Sequence, residues 1–301
     1  MKNHHRILIA FVLSFLLPGF LLKFAQIPQQ NQANDLTVSV LSGATVEQIE
    51  MEEYIVGVLL AEMLPDFHCE AIKAQAVAAR TFTAYRLERN TKHHNADVCT
   101  SANCCQGYID PDEYLAKGGS KETVQKMRDA VSATSGQIVC YNGAPIDATY
   151  FSSSGGRTED AQAVWGTWVP YLQSVESNEQ VDYVTKEIDN EAFCSALGLS
   201  SGSIYIEPPS YTKGGGIAEI RINGKVFTGN QLRQFLELRS TLISFSVDKD
   251  SVRILTNGNG HRVGMSQYGA DTLASKGYGY KQILSHYYTS TEIKTVQPDD
   301  N

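Results

Sequence analysis

The sequence is short of several features that would place it at once. It has no basic balance: Asp and Glu outnumber Lys and Arg by 33 to 25, leaving a net charge of −8. A polynucleotide partner calls for a basic field, so nucleic acid is set aside as a ligand. No internal repeat is visible. The glycine-rich stretch "NGNGHRVGMSQYGA" (257–270) does not fit G-x-G-x-x-G, which rejects a nucleotide site. The composition lacks the polar bias of a disordered chain and reads as globular. Only two Trp accompany fifteen Tyr; such a surface is compatible with carbohydrate, though Tyr is also ordinary core material.

Of long hydrophobic runs there is one. Ile7 to Leu22 ("ILIAFVLSFLLPGFLL") is 16 residues without a charge. As a helix it rises about 24 Å, against a hydrocarbon core of ~30 Å, and Lys23 can snorkel while Phe24 to Ile27 add nearly a turn. Lys2 and Arg6 precede the run, so its amino terminus faces the cytoplasm. The expected layout is a cytoplasmic stub (1–6), a single-pass anchor (7–25) and a polar linker (26–35) ahead of one domain (36–301). A cleaved signal peptide competes with the anchor, but no clean small-x-small site follows. On either reading the rest of the chain lies outside the cytoplasm.

The domain reads as mixed α and β (α+β). "LTVSVLS" (36–42) alternates as a half-buried strand does, "MEEYIVGVLLAEML" is apolar on most sides as a buried helix stopped by Pro65, and "EAIKAQAVAARTFTAYRLER" is a strong helix with Ile72, Ala76, Ala79 and Phe82 on one face. "GQIVCYNGAPIDATYFSSSGG" predicts two strands joined at Asn142-Gly143, and "IAEIRINGKVF" a hairpin turning at Asn223-Gly224. "TGNQLRQFLELR" is a helix capped near Thr228 or Asn230, "FSVDKDSVRILTNGNG" another hairpin, and two helical stretches close the chain. Residues 185–243 carry their own strands and helix and are a candidate inserted subdomain.

Two stretches hold candidate chemistry. Glu62 in "VLLAEMLP" is flanked by apolar side chains; desolvation there would raise its pKa toward that of a general acid, unless it simply ends a helix and points into water. The loop "HHNADVCTSANCCQGY" (93–108) gathers His and Cys, and reads as a metal site, a disulfide clasp or a polar loop with free thiols.

Four segments together resemble the stage II sporulation protein D family, lytic transglycosylases of peptidoglycan in endospore formers: "EEYIVGVLLAEMLPDFHCEAIKAQAVAARTFTAYR", "YFSSSGGRTED", "WVPYLQSVES" and "GHRVGMSQYGADTLASKGYGYKQILSHYY". The resemblance implies that Glu62 is the catalytic residue, acting as acid on the glycosidic oxygen and as base on the muramoyl C6 hydroxyl. It implies that Arg80, Thr158, Tyr171 and Ser266 bind sugar or hold Glu62, with His261 and Gln267 contributing from the Ser266 motif. Arg80 also reads as a salt bridge between helices, and Asp66 and Glu70 stand close enough in sequence to Glu62 to be helpers.

In the 93–108 loop the resemblance implies structural zinc (Zn2+) held by His93, Cys99, Cys104 and Cys105, spaced by six, five and one residues, with His94 as the substitute ligand if the register slips. It also implies peptidoglycan strands free of stem peptides as substrate. The implied partners are a cell-wall amidase of the stage II sporulation protein P type and other membrane proteins of engulfment, and the implied place is the intermembrane space between mother cell and forespore. A glycan-binding enhancer of a wall amidase is the alternative.

Overall fold

The computed structural model describes residues 36–89, 92–180 and 183–296. The expected stub, anchor and linker lie outside the described residues, and among the described residues no helix is long and apolar enough to cross a membrane. The fold is mixed α and β.

It starts on a hairpin, β1 (Thr37–Ser42) and β2 (Thr45–Glu50), whose alternation buries Val38 and Val40. The Glu50 side chain caps α1 (Met51–Glu62), which buries every residue from Tyr54 to Leu60. α1 ends at Glu62; Met63 is already extended, as the chain prepares for Pro65. α2 (Cys69–Arg89) is the central helix, and its buried Ala71, Ala74, Ala76, Ala78 and Ala79 let neighbours approach closely. Around it pack α1, the amphipathic α4 (Lys121–Ser132), strand β4 (Gln137–Tyr141) and the two C-terminal helices. Between α2 and α4 the chain adds the short β3 (Val98–Cys99), parallel to β1, and α3 (Pro111–Ala116).

The first predicted hairpin forms only in part. Asn142 and Gly143 take the positive φ that its turn requires, but β5 is just Ala144–Pro145. Proline has no N–H to continue a ladder, and the chain departs. Its next strand, β6 (Tyr150–Phe151), pairs in parallel with β13 (Met265–Ser266) from far along the sequence. After α5 (Ala161–Trp165) comes a region with its own core. It contains β7 (Tyr183–Asp189), α6 (Asn190–Ala196), β8 (Ser210–Tyr211), β9 (Ile217–Ile222), β10 (Lys225–Phe227), α7 (Gly229–Phe235), β11 (Leu242–Val247) and β12 (Ser251–Asn257). Two three-stranded sheets, β11-β12-β7 and β10-β9-β8, bury Phe193, Ile222, Phe227, Leu232, Val252 and Ile254 in a cluster separate from the one around α2. The two predicted hairpins and the Thr228 cap all form here, the cap as a full capping box with Gln231. α8 (Gln267–Ser275), α9 (Tyr280–Tyr287) and β14 (Glu292–Thr295, paired to β4) return to the first cluster.

Arg262 joins the two clusters. Its side chain is fully buried, and each guanidinium nitrogen is engaged: Nε donates to Ser154 O at 2.7 Å, Nη1 to Glu159 Oε1 at 3.0 Å and Thr241 Oγ1 at 3.3 Å, Nη2 to Arg157 O at 2.8 Å and Gly214 O at 2.6 Å. Glu159 is itself buried and also accepts from Thr212 Oγ1 and Gly216 N. Removing one partner of a buried pair strands the other charge, at a cost of about 3–5 kcal/mol. Arg262→Ala should therefore lower folding stability by about that amount in urea titrations, and Arg262→Lys should recover only part, since ammonium lacks the planar fork. A loss under ~1 kcal/mol for the alanine variant would contradict this account.

Candidate active site

Glu62 closes α1 at the floor of a cleft of about 380 Å³, whose wall includes Phe82, Asn103, Cys105, Tyr150, Phe151, Arg233, Asn259 and His261. It neither points freely into water nor pairs with a cation. Its Oε1 accepts from the backbone N–H of Gly107 at 2.5 Å. Burial pushes its pKa up; the Gly107 bond and the nearby Gln267 amide pull in the other direction and do not cancel it. That amide nitrogen is buried without a geometrically complete hydrogen bond, so its hold on Glu62 is the weaker of the two. Half-buried Tyr150 lies close enough to feel the Glu62 charge, and desolvation of its phenol raises its pKa well above the ordinary range.

Two glycines make the Gly107 contact. A Cβ on Gly107 would stand 2.8 Å from Glu62 Oε1, so any larger residue would displace the carboxylate. Gly57, on α1, leaves room for the Tyr108 ring, which stacks on Tyr54 at 5.4 Å, and its carbonyl accepts from Ile109 N. Gln106 is wedged between, donating to Thr83 Oγ1 at 3.1 Å and accepting from Tyr150 OH at 2.9 Å. The segment 106–109 is thus keyed to α1 and α2 residue by residue.

Just before it lies the His and Cys loop. β3 holds Cys99 against β1, and Asp97 buttresses it by accepting from Ser39 N at 2.8 Å. A turn on Ser101 O brings Cys104 and Cys105 back toward it. The ligand atoms of His93, Cys99, Cys104 and Cys105 lie within 4.8 Å of one another, and His93 Nε2 is 3.4 Å from Cys105 Sγ and 3.6 Å from Cys104 Sγ. Tetrahedral zinc, with Zn–S near 2.3 Å, sets its sulfurs about 3.8 Å apart, so this donor set fits such an ion. Cys104, not His94, completes the group, and no disulfide joins the thiols. Burial pushes the Cys105 thiol well above its ordinary pKa, a penalty that a divalent cation would reverse.

His261 lines the cleft between Phe151 and Trp165, with ring centroids 5.6 and 5.4 Å away. Its Nδ1 accepts from Val263 N, which assigns the proton to Nε2. Burial, with the Arg233 charge, lowers its pKa to about 4, so it works as a neutral imidazole. Four residues expected at the substrate are elsewhere. Arg80 is buried in an ion pair with Glu52 and also donates to Gln137 O, leaving nothing for a sugar. Thr158 is buried and its Oγ1 accepts from Val175 N at 2.8 Å, holding two loops together. Tyr171 packs on Tyr141 and its hydroxyl accepts from Asp147 N. Ser266 caps α8 through Gly269 N and donates to Glu179, which also gathers Ser154 and Ser177. Of the would-be helpers, Asp66 is exposed and Glu70 pairs with Lys73; neither lines the cleft. The reading of the sequence missed Gly107, Asn103, Arg233, Asn259 and Trp165. Asn103 and Gly107 lie in the His and Cys loop and Asn259 in the glycine-rich stretch, whereas Arg233 and Trp165 left no local sign.

Comparisons with known proteins agree with one another. Residues 42–141 match the family model SpoIID, stage II sporulation protein. Stage II sporulation protein D of Bacillus subtilis (strain 168) is 38% identical over 259 residues, covering 83% of this chain and 76% of that protein. Its counterpart in Bacillus amyloliquefaciens is 35% identical over 262 residues, covering 84% and 76%. An amidase enhancer of Bacillus subtilis (strain 168) is 27% identical over 299 residues, covering 79% of this chain but 40% of the relative.

The raised pKa of Glu62 makes a prediction about stability. Its ionised form is disfavoured in the fold, so its contribution is complete below the unfolded pKa of about 4.3 and is lost as pH rises through the higher folded value. Glu62→Gln keeps an oxygen for Gly107 N–H and removes the charge. The variant should melt above the wild type at pH 8, and the difference should vanish below pH 4 in matched thermal scans. A variant less stable at pH 8 would refute the assignment.

Proposed function

We propose that this chain, which belongs to the stage II sporulation protein D family, is a lytic transglycosylase that cuts the MurNAc–GlcNAc bond of stem-peptide-free peptidoglycan strands. The observation that carries this reading is the solitary carboxylate: among the described residues, Glu62 is the one acidic side chain in the wall of the 380 Å³ cleft. Hydrolysis of a glycosidic bond ordinarily takes two carboxyl groups, one for the leaving oxygen and one for water or for the anomeric carbon. Attack by the substrate's own C6 hydroxyl dispenses with the second.

The steps follow from the groups present. Protonated Glu62, favoured by burial, donates to the glycosidic oxygen as the bond to C1 breaks. The carboxylate so formed is stabilised by Gly107 N–H and then accepts the C6 hydroxyl proton as O6 closes on C1. The products are a free 4-hydroxyl and a 1,6-anhydro-muramoyl end; Glu62 regains its proton and no water is consumed. The faces of Phe151 and Trp165 suit sugar C–H surfaces, and the neutral His261 between them is held by the Val263 and Tyr150 backbone.

Zinc in the His93, Cys99, Cys104 and Cys105 set would be structural, since four protein ligands leave no position for water. Its effect would reach Glu62 through the short backbone path from Cys105 to Gly107. The proposal places this activity in engulfment during sporulation, in the intermembrane space, with residues 7–25 as the anchor. A wall amidase of the stage II sporulation protein P type would supply the stripped strands there, alongside other membrane proteins of engulfment. A second reading, glycan binding that enhances an amidase, draws on the likeness to an amidase enhancer.

Mass spectrometry of denuded strands incubated with wild type and Glu62→Gln separates the readings. Anhydro-muramoyl ends are expected from the wild type, at a rate reduced at least ~100-fold in the variant. Reducing ends would mean hydrolysis, and binding without cleavage would favour the enhancer. For the metal, purified chain should carry one zinc; Cys99→Ser and Cys105→Ser should each lose it together with activity and thermal stability, while Cys140→Ser keeps all three. Full activity after complete metal removal would overturn the structural role.

A further inference from the structure

Arg233 is an unusual cation for this molecule. It sits on α7, whose neighbouring Leu232 and Leu236 are buried in the second cluster. It lines the Glu62 cleft and also an adjoining groove of about 930 Å³ that adds Val164, Trp165, Asn230 and Glu237. Asn103, Arg233 and His261 belong to both, so the two spaces are continuous at Arg233. Its Nε donates to Arg239 O at 3.3 Å, and no carboxylate pairs with it among the described residues. Burial pulls its pKa down and no acidic neighbour restores it. Arg80 and Arg262, by contrast, each have a carboxylate in contact. Among the described residues, Glu62 and Arg233 are the carboxylate and the cation that line the Glu62 cleft. With Glu62 protonated, the cleft offers one half-desolvated guanidinium and no carboxylate, since Glu237 lies in the adjoining groove, exposed and paired with Lys186 at 4.0 Å. A planar guanidinium with both terminal nitrogens unclaimed is the donor set that fits a carboxylate, bidentately.

Resting on the proposed substrate, the geometry points to Arg233 as the residue that reads the free lactyl carboxylate of N-acetylmuramic acid and so selects stripped strands. A strand of N-acetylglucosamine and N-acetylmuramic acid is otherwise neutral. The lactyl group is ionised only where no stem peptide is attached; with the peptide present, that carbon is an amide and its charge is gone. Arg233 is a specificity residue here, and it takes no part in proton transfer.

The test uses full-length wild type, Arg233→Met and Arg233→Lys with denuded strands and with the same strands converted to lactyl methylamides. Binding is read by calorimetry and cleavage by initial rates. Wild type should bind the acid strands roughly ten- to hundredfold tighter than the methylamides, the worth of a charge-assisted contact. Arg233→Met should bind both as wild type binds the methylamide, Arg233→Lys should regain part of the preference, and the cleavage defect should fall in KM with kcat little changed. Unaltered melting temperatures would show that the half-exposed position is not needed for folding. The inference is overturned if Arg233→Met keeps the preference, or if wild type binds both strands equally. Binding with preference but no cleavage would sink the transglycosylase and leave Arg233 standing; binding of neither strand would end both.

Discussion

A single buried guanidinium sets the relation between the two hydrophobic clusters. Arg262 holds the 154–159 segment, which leads from β6 in the cleft wall, and at the same time Gly214 and Thr241, which flank strands of the second cluster's sheets. It does so from a backbone with φ of +66°, a conformation costly for a side chain of this size and affordable only where the surroundings over-determine it. His261, its chain neighbour, thereby receives a fixed direction into the cleft. The distance between the walls, and with it the usable shape of the site, follows from one residue that touches no substrate.

A second constraint runs along the backbone. The candidate metal loop, the Gln106 wedge and the Gly107 contact to Glu62 are consecutive in sequence. Order gained in the loop is delivered to the carboxylate within two peptide units, with no intervening side-chain chain to slacken. A carboxylate at a helix terminus would otherwise fray with the last turn. Here the position of Glu62 is set by the bond from Gly107 N–H, two residues beyond the last cysteine of the candidate metal loop.

Much of the fold was legible because its signals are local. Asn223-Gly224 demands a hairpin, Thr228 and Gln231 make a cap, and the Ala-rich face of α2 declares a packed helix, each within a few residues. The four donors that the resemblance names, His93, Cys99, Cys104 and Cys105, also come within 4.8 Å of one another. The division of motif residues between cleft and framework was not legible: Arg80 takes up the interhelix salt bridge that was its other reading, and Thr158, Tyr171 and Ser266 bond within the framework. Arg80 finds its partner in Glu52, 28 residues earlier, and Ser266 finds Glu179 at a separation of 87. A motif records that a residue type is present; which way it faces is decided by such distant partners. The cleft wall from α7 was illegible for the same reason: nothing near Arg233 in sequence announces Glu62, 171 positions away. Pro145 is a local sign against a full second strand in the first hairpin, which ends at that residue.

The presence of two cores has an evolutionary consequence. Glu62 and Gly107 are secured by the cluster around α2, whereas the wall bearing Arg233 and Asn230 is secured by the cluster of Phe193, Phe227 and Leu232. Substitutions in separate cores combine almost independently. Lineages can therefore revise the 229–238 face, and with it the wall that carries Arg233 and Asn230, without disturbing the packing that holds Glu62. Laboratory selection could use the same freedom, redrawing preference on one core while the other is left as it stands.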